Sequence, residues 1–122
     1  FGGYRPESEP ETLALTELCR TANIRQAAAL HSQGEVIYWS YGNSEPPRAK
    51  KMAEIMSTSS GYALDVPVGI ADGGGFKDWF ITEFRRPGFT IELGTGKNPL
   101  PAADAEKIYM RVRKMLMLFI MM

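Results

Sequence analysis

The stretch Gly88-Phe89-Thr90-Ile91-Glu92-Leu93-Gly94 decides the fold, because apolar and polar residues alternate strictly along it. Every second residue from Phe89 is apolar, and Thr90 and Glu92 stand between the apolar positions. Successive side chains of a β-strand point to opposite faces of the sheet, so this alternation predicts a strand with one apolar face. The carboxylate of Glu92 would lie on the opposite face.

Helical and extended patterns alternate on both sides of that strand. The predicted helices are residues 9–21, 48–60, 76–86 and 102–120. The further predicted strands are residues 24–30 and 35–41, with a short extended segment at residues 62–68. The first of these strands is mostly apolar, which is typical of a buried strand. Strands that alternate with helices indicate a layered α/β fold.

Three helix ends carry recognisable signals. Ser8, followed by Pro10 and Glu11, has the form of a capping box at the start of the first helix. Gly61 is placed to end the second helix, and Pro87 to end the third. These signals predict the helix boundaries independently of the apolar periodicity.

The composition fits one globular domain and excludes several partners. The chain has 122 residues, of which 44% are hydrophobic, and its 14 basic residues balance its 14 acidic ones. A net charge of zero leaves no basic surface for nucleic acid or for an anionic membrane. The longest apolar run, residues 115–122, is far shorter than the roughly 20 residues that a membrane-spanning helix needs. We therefore expect no nucleic acid partner and no membrane span.

Single copies of two residue types limit the possible chemistry. Cys19 is the one cysteine, so an internal disulfide is impossible, and His31 is the one histidine, so this chain alone cannot build a multi-histidine metal cluster. A cysteine nucleophile is also disfavoured, because no second histidine could activate it. The chain starts at Phe1 without a basic and apolar leader, and we interpret it as a piece of a longer protein.

Glu92 is the most unusual residue of the central strand. A carboxylate in an apolar strand is costly to bury unless it is paired or works as a catalytic group. Such a glutamate is well placed to be a general base. The alternative is that Glu92 faces solvent on an edge strand, and the alternation alone does not separate the two interpretations.

His31 follows an apolar run, at the carboxyl end of a predicted strand, where open α/β sheets place their ligands. Neutral imidazole is a common metal ligand, but a single histidine can equally be a polar residue with an ordinary hydrogen-bond partner. A zinc site also needs three protein ligands, and Glu35 is the one nearby carboxylate.

Three blocks of the sequence together resemble one family. The blocks are Ser8-Glu9-Pro10-Glu11-Thr12, then Ala29-Leu30-His31-Ser32-Gln33-Gly34-Glu35, then Gly73-Gly74-Gly75-Phe76-Lys77-Asp78-Trp79-Phe80 running into Phe89-Thr90-Ile91-Glu92-Leu93-Gly94. The ordered set resembles the zinc carboxypeptidases of the pancreatic type. Within that family it is most similar to the bacterial γ-D-glutamyl-L-diamino acid endopeptidases, which cut peptidoglycan peptides.

The resemblance implies a fold, a cofactor and two site residues. The fold would be a three-layer α/β/α arrangement with a mixed sheet, in which residues 1–122 form the C-terminal portion of a single zinc peptidase catalytic domain. His31 would be the third zinc ligand, and Glu92 the general base that activates the zinc-bound water. The family's His-x-x-Glu ligands and the arginines that grip a substrate carboxylate lie upstream and have no counterpart here. The missing N-terminal half is therefore an expected partner, and the isolated piece would be inactive and prone to self-association.

The resemblance also implies a peptide substrate and identifies two residues that would bind it, Lys77 and Gln33. Lys77 stands where the family selects its substrate side chain, and a cation there suits an acidic group or diaminopimelate. Alternatively, Lys77 is simply an exposed residue in the first turn of its helix. Ile70 occupies the place of the mobile tyrosine of digestive members. A rival function is a non-catalytic peptide- or protein-binding module on the peptidase scaffold, and the compartment, bacterial cytoplasm or cell envelope, stays open.

Overall fold

The computed structural model describes residues 4–65 and 73–122. The helices are α1 (Pro10–Thr21), α2 (Ala49–Ser60), α3 (Phe76–Phe84) and α4 (Ala105–Met121). The strands are β1 (Ala27–His31), β2 (Val36–Tyr38), β3 (Ala63–Asp65) and β4 (Gly88–Glu92). A short 3-10 turn, Ala102–Asp104, leads into α4. The predicted alternation of strands and helices is confirmed.

The strands form a mixed sheet in the order β1-β4-β2-β3. β4 runs parallel to β1 and antiparallel to β2, and β2 runs parallel to β3. The strand that decided the fold from sequence is therefore an interior strand with a partner on each side. This corrects the alternative in which Glu92 lies on an edge strand.

Helical layers cover the two faces of the sheet. Phe89 and Ile91 of β4 lie in a core with α2 and α4, and the buried side chains of this core are Ile37, Trp39, Ala49, Met52, Ala53, Met56, Tyr62, Phe89, Ile91, Val112 and Met115. The opposite face of β4 meets α3, because a Cβ on Gly88 would lie 3.2 Å from the Ile81 side chain. Helix α1 lies beside α3, where Arg20 pairs with Glu83. The architecture is α/β, as predicted.

The helix boundaries follow the sequence signals at α2 and depart from them at α1. Gly61 ends α2 in the left-handed conformation, with φ of 74°, which a glycine adopts without strain. At the start of α1 the predicted capping box is wrong. Glu9 is the N-cap residue and makes no side-chain cap, while the Ser8 hydroxyl donates to the Glu9 carboxylate instead. The Pro10 ring still fixes the first turn.

Two predicted strands differ from the observed ones. Strand β1 was predicted to be buried, but its outer edge pairs with no other strand in the described residues, and Leu30 is 49% exposed. The extended segment predicted for residues 62–68 is a strand at Ala63–Asp65, and its remainder lies outside the described residues. Ile70 also lies outside them.

None of the helices in residues 4–65 and 73–122 combines the length and the apolar character needed to cross a membrane.

Candidate functional site

Strands β1 and β4 bring His31 and Glu92 side by side. The two residues are register partners at the carboxyl ends of the parallel pair. Side chains at matched positions of in-register parallel strands lie on the same face of the sheet. Just beyond the pair, the Leu93 amide donates to the His31 carbonyl at 2.8 Å, so the two strand ends stay joined. The structure therefore unites the two residues that the sequence analysis singled out separately.

The His31 imidazole and the Glu92 carboxylate are both available for chemistry. His31 is exposed and Glu92 is half-buried. Among residues 4–65 and 73–122, neither side chain is hydrogen-bonded or ion-paired with another group. The interpretation of His31 as a polar residue with an ordinary partner therefore has no support in this part of the chain. A half-buried carboxylate that is free of partners can accept a proton from a water molecule beside it.

His31 would supply one ligand of a zinc site. An exposed imidazole at the carboxyl edge of a sheet is the right type of ligand in an accessible place. However, the described residues contain no group of three histidine, cysteine or carboxylate side chains that could hold a metal ion. Glu35 is engaged elsewhere, because its carboxylate accepts a hydrogen bond from Arg111 at 2.6 Å. His31 is thus one candidate ligand that would need partners from outside these residues.

Cys19 does not offer an alternative nucleophile. Its side chain is buried in α1. Burial raises the pKa of the Cys19 thiol, so the reactive thiolate is disfavoured. The expectation that the chemistry does not run through a cysteine agrees with this environment.

The backbone that follows Glu92 is held in place by hydrogen bonds at Gly94. The Gly94 carbonyl accepts from the Gly34 amide at 2.8 Å, and the Gly94 amide donates to the Tyr62 hydroxyl at 3.2 Å. Gly94 has φ of 66°, and a Cβ there would lie 2.7 Å from Cδ1 of Ile108. The left-handed conformation favours glycine at this position, and a side chain there would also displace the end of the Ile108 side chain.

The loop after His31 is joined to the loop after Glu92. The Asn98 amide group donates to the Ser32 carbonyl at 2.9 Å, and the Ser32 hydroxyl donates to the Asn98 side chain at 3.0 Å. Gln33, predicted to bind substrate, is exposed beside this junction. Its side chain contacts no hydrogen-bond partner in the part of the chain that the structure describes.

Lys77 is buried, so the interpretation that it is an exposed residue is wrong. Its side chain is 3% exposed, and its ammonium group donates to the Ser40 carbonyl at 2.6 Å and pairs with the Asp78 carboxylate. Asp78 also accepts from the Gly73 amide at 3.0 Å, which ties the glycine loop to the start of α3. Within the described residues, no hydrogen bond or ion pair links Lys77 to His31 or Glu92.

Sequence reasoning missed Tyr62, Arg111 and Asp78. Tyr62 is almost fully buried, and its hydroxyl contacts the Gly94 backbone from far away in the sequence. Arg111 covers the Tyr62 ring from α4, with its guanidinium 5.2 Å from the ring centroid. Neither the apolar periodicity nor a local motif of the sequence predicts such long-range contacts. Asp78 did carry a signal, because a carboxylate in the first turn beside a lysine is a candidate for a local ion pair.

Comparisons with known proteins agree with one family. The family model described as "Zinc carboxypeptidase" matches residues 1–115. The chain is 46% identical over 110 residues to "Gamma-D-glutamyl-L-diamino acid endopeptidase 1" of Lysinibacillus sphaericus, covering 89% of this chain and 27% of that protein. It is 38% identical over 109 residues to "Uncharacterized protein YqgT" of Bacillus subtilis (strain 168), covering 89% of this chain and 29% of that protein.

A solved structure supports the fold. The carboxypeptidase A from Helicoverpa armigera superposes with a TM-score of 0.73 at 19% sequence identity, over 97% of this chain and 35% of that one. The chain thus spans under a third of the two curated relatives' length, while nearly all of it superposes on about a third of the solved structure.

Proposed function

Because this chain belongs to the zinc carboxypeptidase family, we propose that it is the C-terminal portion of a metallopeptidase catalytic domain. The observation that carries the proposal is the pairing of His31 with Glu92 at the carboxyl ends of two parallel strands. A metal-binding nitrogen and a proton-accepting carboxylate on one sheet face are two groups that hydrolysis of a peptide bond by an activated water requires.

The proposed cofactor is zinc, with His31 as one of its ligands. Bound zinc lowers the pKa of a coordinated water to about 7 and polarises the carbonyl of the scissile bond. His31 suits this role because its imidazole is exposed and free of hydrogen-bond partners in the described residues. The remaining ligands would come from a part of the whole protein outside this chain.

Glu92 is the proposed general base. Its carboxylate takes a proton from the attacking water and later gives one to the leaving amine, so no covalent intermediate with the protein forms. Interior strand β4 suits this task because β1 and β2 hold it on both sides. A base on such a strand keeps its position while the bond breaks, whereas a base on a mobile loop would not.

The proposed substrate is a peptidoglycan-type peptide with an acidic or diamino acid residue. The name of the Lysinibacillus relative, a γ-D-glutamyl-L-diamino acid endopeptidase, supports this choice. Lys77 would bind a substrate carboxylate with the donor that remains beside Ser40 and Asp78. Gln33, which is exposed next to the loop after His31, would hydrogen-bond the peptide backbone.

The proposed partner of this chain is the N-terminal half of the same domain. The outer edge of β1 offers backbone groups that pair with no other strand in the described residues. Such an edge favours the addition of a further strand. With that half absent, the same edge would favour self-association.

The experiment that tests this function uses the whole protein. It measures the zinc content by mass spectrometry and the cleavage of a γ-D-glutamyl-diaminopimelate peptide before and after dialysis against a chelator. We expect stoichiometric zinc, cleavage, and loss of cleavage when zinc is removed. Binding of the peptide without zinc and without cleavage would instead support the non-catalytic binding module, and an upstream His-x-x-Glu motif would speak against that module.

A further inference from the structure

Tyr62 is buried, and both its backbone and its side chain make hydrogen bonds. Its amide donates to the Ser60 hydroxyl at 3.2 Å, and its carbonyl accepts from the Ser57 hydroxyl at 2.7 Å. Its side chain is 1% exposed. The Tyr62 backbone is thus fixed to the last turn of α2 at its amide and its carbonyl, and the close packing around the buried ring leaves the ring little freedom to move.

Arg111 of α4 covers the face of the Tyr62 ring. Its guanidinium lies 5.2 Å from the centroid of the Tyr62 ring, and its Nε donates to the Ser60 carbonyl at 3.0 Å. The same guanidinium pairs with Glu35 at 2.6 Å. Glu35 in turn receives the Ala63 amide on its backbone carbonyl at 3.0 Å. The guanidinium therefore links the tyrosine to the loop that follows His31.

The hydroxyl of this fixed ring contacts one group near the site, the Gly94 amide. Gly94 comes two residues after Glu92, at the point where the chain leaves β4. Its carbonyl is fixed by the Gly34 amide, and its amide is fixed by Tyr62. Loss of the tyrosine hydroxyl would leave a buried amide without a partner, which a buried backbone avoids by moving.

We propose that Tyr62 is a positioning residue for the Glu92 carboxylate and acts through the Gly94 amide. The inference rests on the proposed function, because it gives Glu92 the role of general base. Tyr62, Arg111 and Glu35 form a frame that sets where β4 ends. The direction of the last side chain of a strand depends on the backbone that follows it, so the frame sets the angle at which Glu92 meets the attacking water. A displacement of about 1 Å at such a position costs a large part of the rate.

The test compares Tyr62→Phe with Tyr109→Phe in the whole protein. Tyr109 is 59% exposed on α4 and serves as a matched loss of one hydroxyl. We expect Tyr62→Phe to lower kcat by about ten-fold or more, with KM and zinc content within about two-fold of wild type. Hydrogen exchange should quicken in the peptide that contains Gly94. Tyr109→Phe should change none of these quantities.

Several outcomes would overturn the inference. An unchanged kcat for a folded Tyr62→Phe protein, or unchanged exchange at Gly94, would each contradict it. If Tyr62→Phe does not fold, Arg111→Lys decides, because lysine keeps the charge opposite Glu35 but lacks the planar group that covers the ring. Wild-type kcat and exchange in that variant would overturn the inference as well. If the wild-type protein cleaves no peptide, the proposed function fails, and exchange at Gly94 in Tyr62→Phe alone decides whether the frame fixes the end of β4.

Discussion

His31 and Glu92 are direct register partners across the parallel strands β1 and β4, and the Leu93 amide binds the His31 carbonyl immediately beyond them. Backbone hydrogen bonds therefore set the relative position of the two Cα atoms, from which both side chains extend on the same face of the sheet. Two side chains held in this way can be changed one at a time, with separate effects expected on catalysis and on metal binding.

Replacement of Glu92 by glutamine should leave zinc bound and lower peptidase activity by about 100-fold or more, because the amide has nearly the same shape but cannot accept a proton. The measurements are zinc content and kcat of the whole protein. Glu106→Gln, an exposed change of the same type on α4, is the control. Turnover within a few-fold of wild type, taken as about three-fold, would remove Glu92 from the mechanism.

Replacement of His31 by alanine should weaken zinc binding by more than about 100-fold, because a ligand that contacts the metal is lost. Zinc retained after dialysis against a chelator series gives the affinity. Asn23→Ala, an exposed site before β1, is the control. An unchanged stoichiometry would assign His31 a role other than metal binding.

The pair formed by Lys77 and Asp78 permits a test that separates stability from specificity. Lys77→Met leaves the buried Asp78 carboxylate without its cation and should cost roughly 3–5 kcal/mol of stability. The double variant Lys77→Met with Asp78→Asn removes both charges and should recover much of that loss, as seen in the melting temperature.

If Lys77 binds the acidic group of the substrate, the folded double variant loses its preference for acidic over neutral peptides by about ten-fold or more in kcat/KM. A preserved ratio of kcat/KM between the two peptides would show that Lys77 serves the fold alone.

Glu7 makes the stability of the α1 region depend on pH. The hydrogen bond from the Arg20 guanidinium, with a further one from Thr16, holds the pKa of Glu7 below its ordinary value of 4.5. A carboxyl whose pKa is lowered in the folded state adds stability above its unfolded pKa, and that stability is lost as the pH falls through the folded value.

Glu7→Gln should therefore flatten the fall of the melting temperature between about pH 5 and about pH 3, while Glu11→Gln, in the nearby first turn of α1, serves as the exposed control. Identical pH profiles for wild type and Glu7→Gln would contradict the contribution of this ion pair.

The isolated chain should self-associate and bind zinc weakly. The outer edge of β1, which pairs with no strand among the residues that the structure describes, and the exposed apolar residues of α1, including Leu18 at 55%, favour contact with a second copy. Light scattering during chromatography and zinc titration measure both properties. A single monomeric peak together with micromolar zinc affinity would show that these residues are self-sufficient.

The sequence correctly predicted those strands and helix ends that depend on residues close together in the chain. The alternation around Ile91 gave β4, and Gly61 gave the end of α2. Burial of β1 was mispredicted because apolar composition does not tell which edge of a strand finds a partner, and Leu30 stays half exposed. Likewise, the burial of Lys77 depends on the Ser40 carbonyl, which is distant along the chain.

In the candidate site, too, the sequence identified individual residues but not the long-range contacts around them. His31 and Glu92 could be named from the sequence because each is an unusual residue at the end of an apolar segment. The contacts that fix their surroundings, such as that between Tyr62 and Gly94, join residues that only the folded chain brings together. Such contacts leave no periodicity in the sequence.

The strand order has a consequence for how the chain assembles. Strands β1 and β2 are consecutive in sequence, yet they lie apart in the sheet, and the slot between them is filled by β4 from much later in the chain. A ribosome that has released only the first half of this sequence has therefore produced β1 without β4, its one neighbour in the described sheet. Pairing β4 with β1 closes a long loop of the chain. Loop closure costs conformational entropy before the strand contacts form, so such non-local pairing is slow. The face that carries His31 and Glu92 therefore forms only once β4 has been synthesised and has paired with β1.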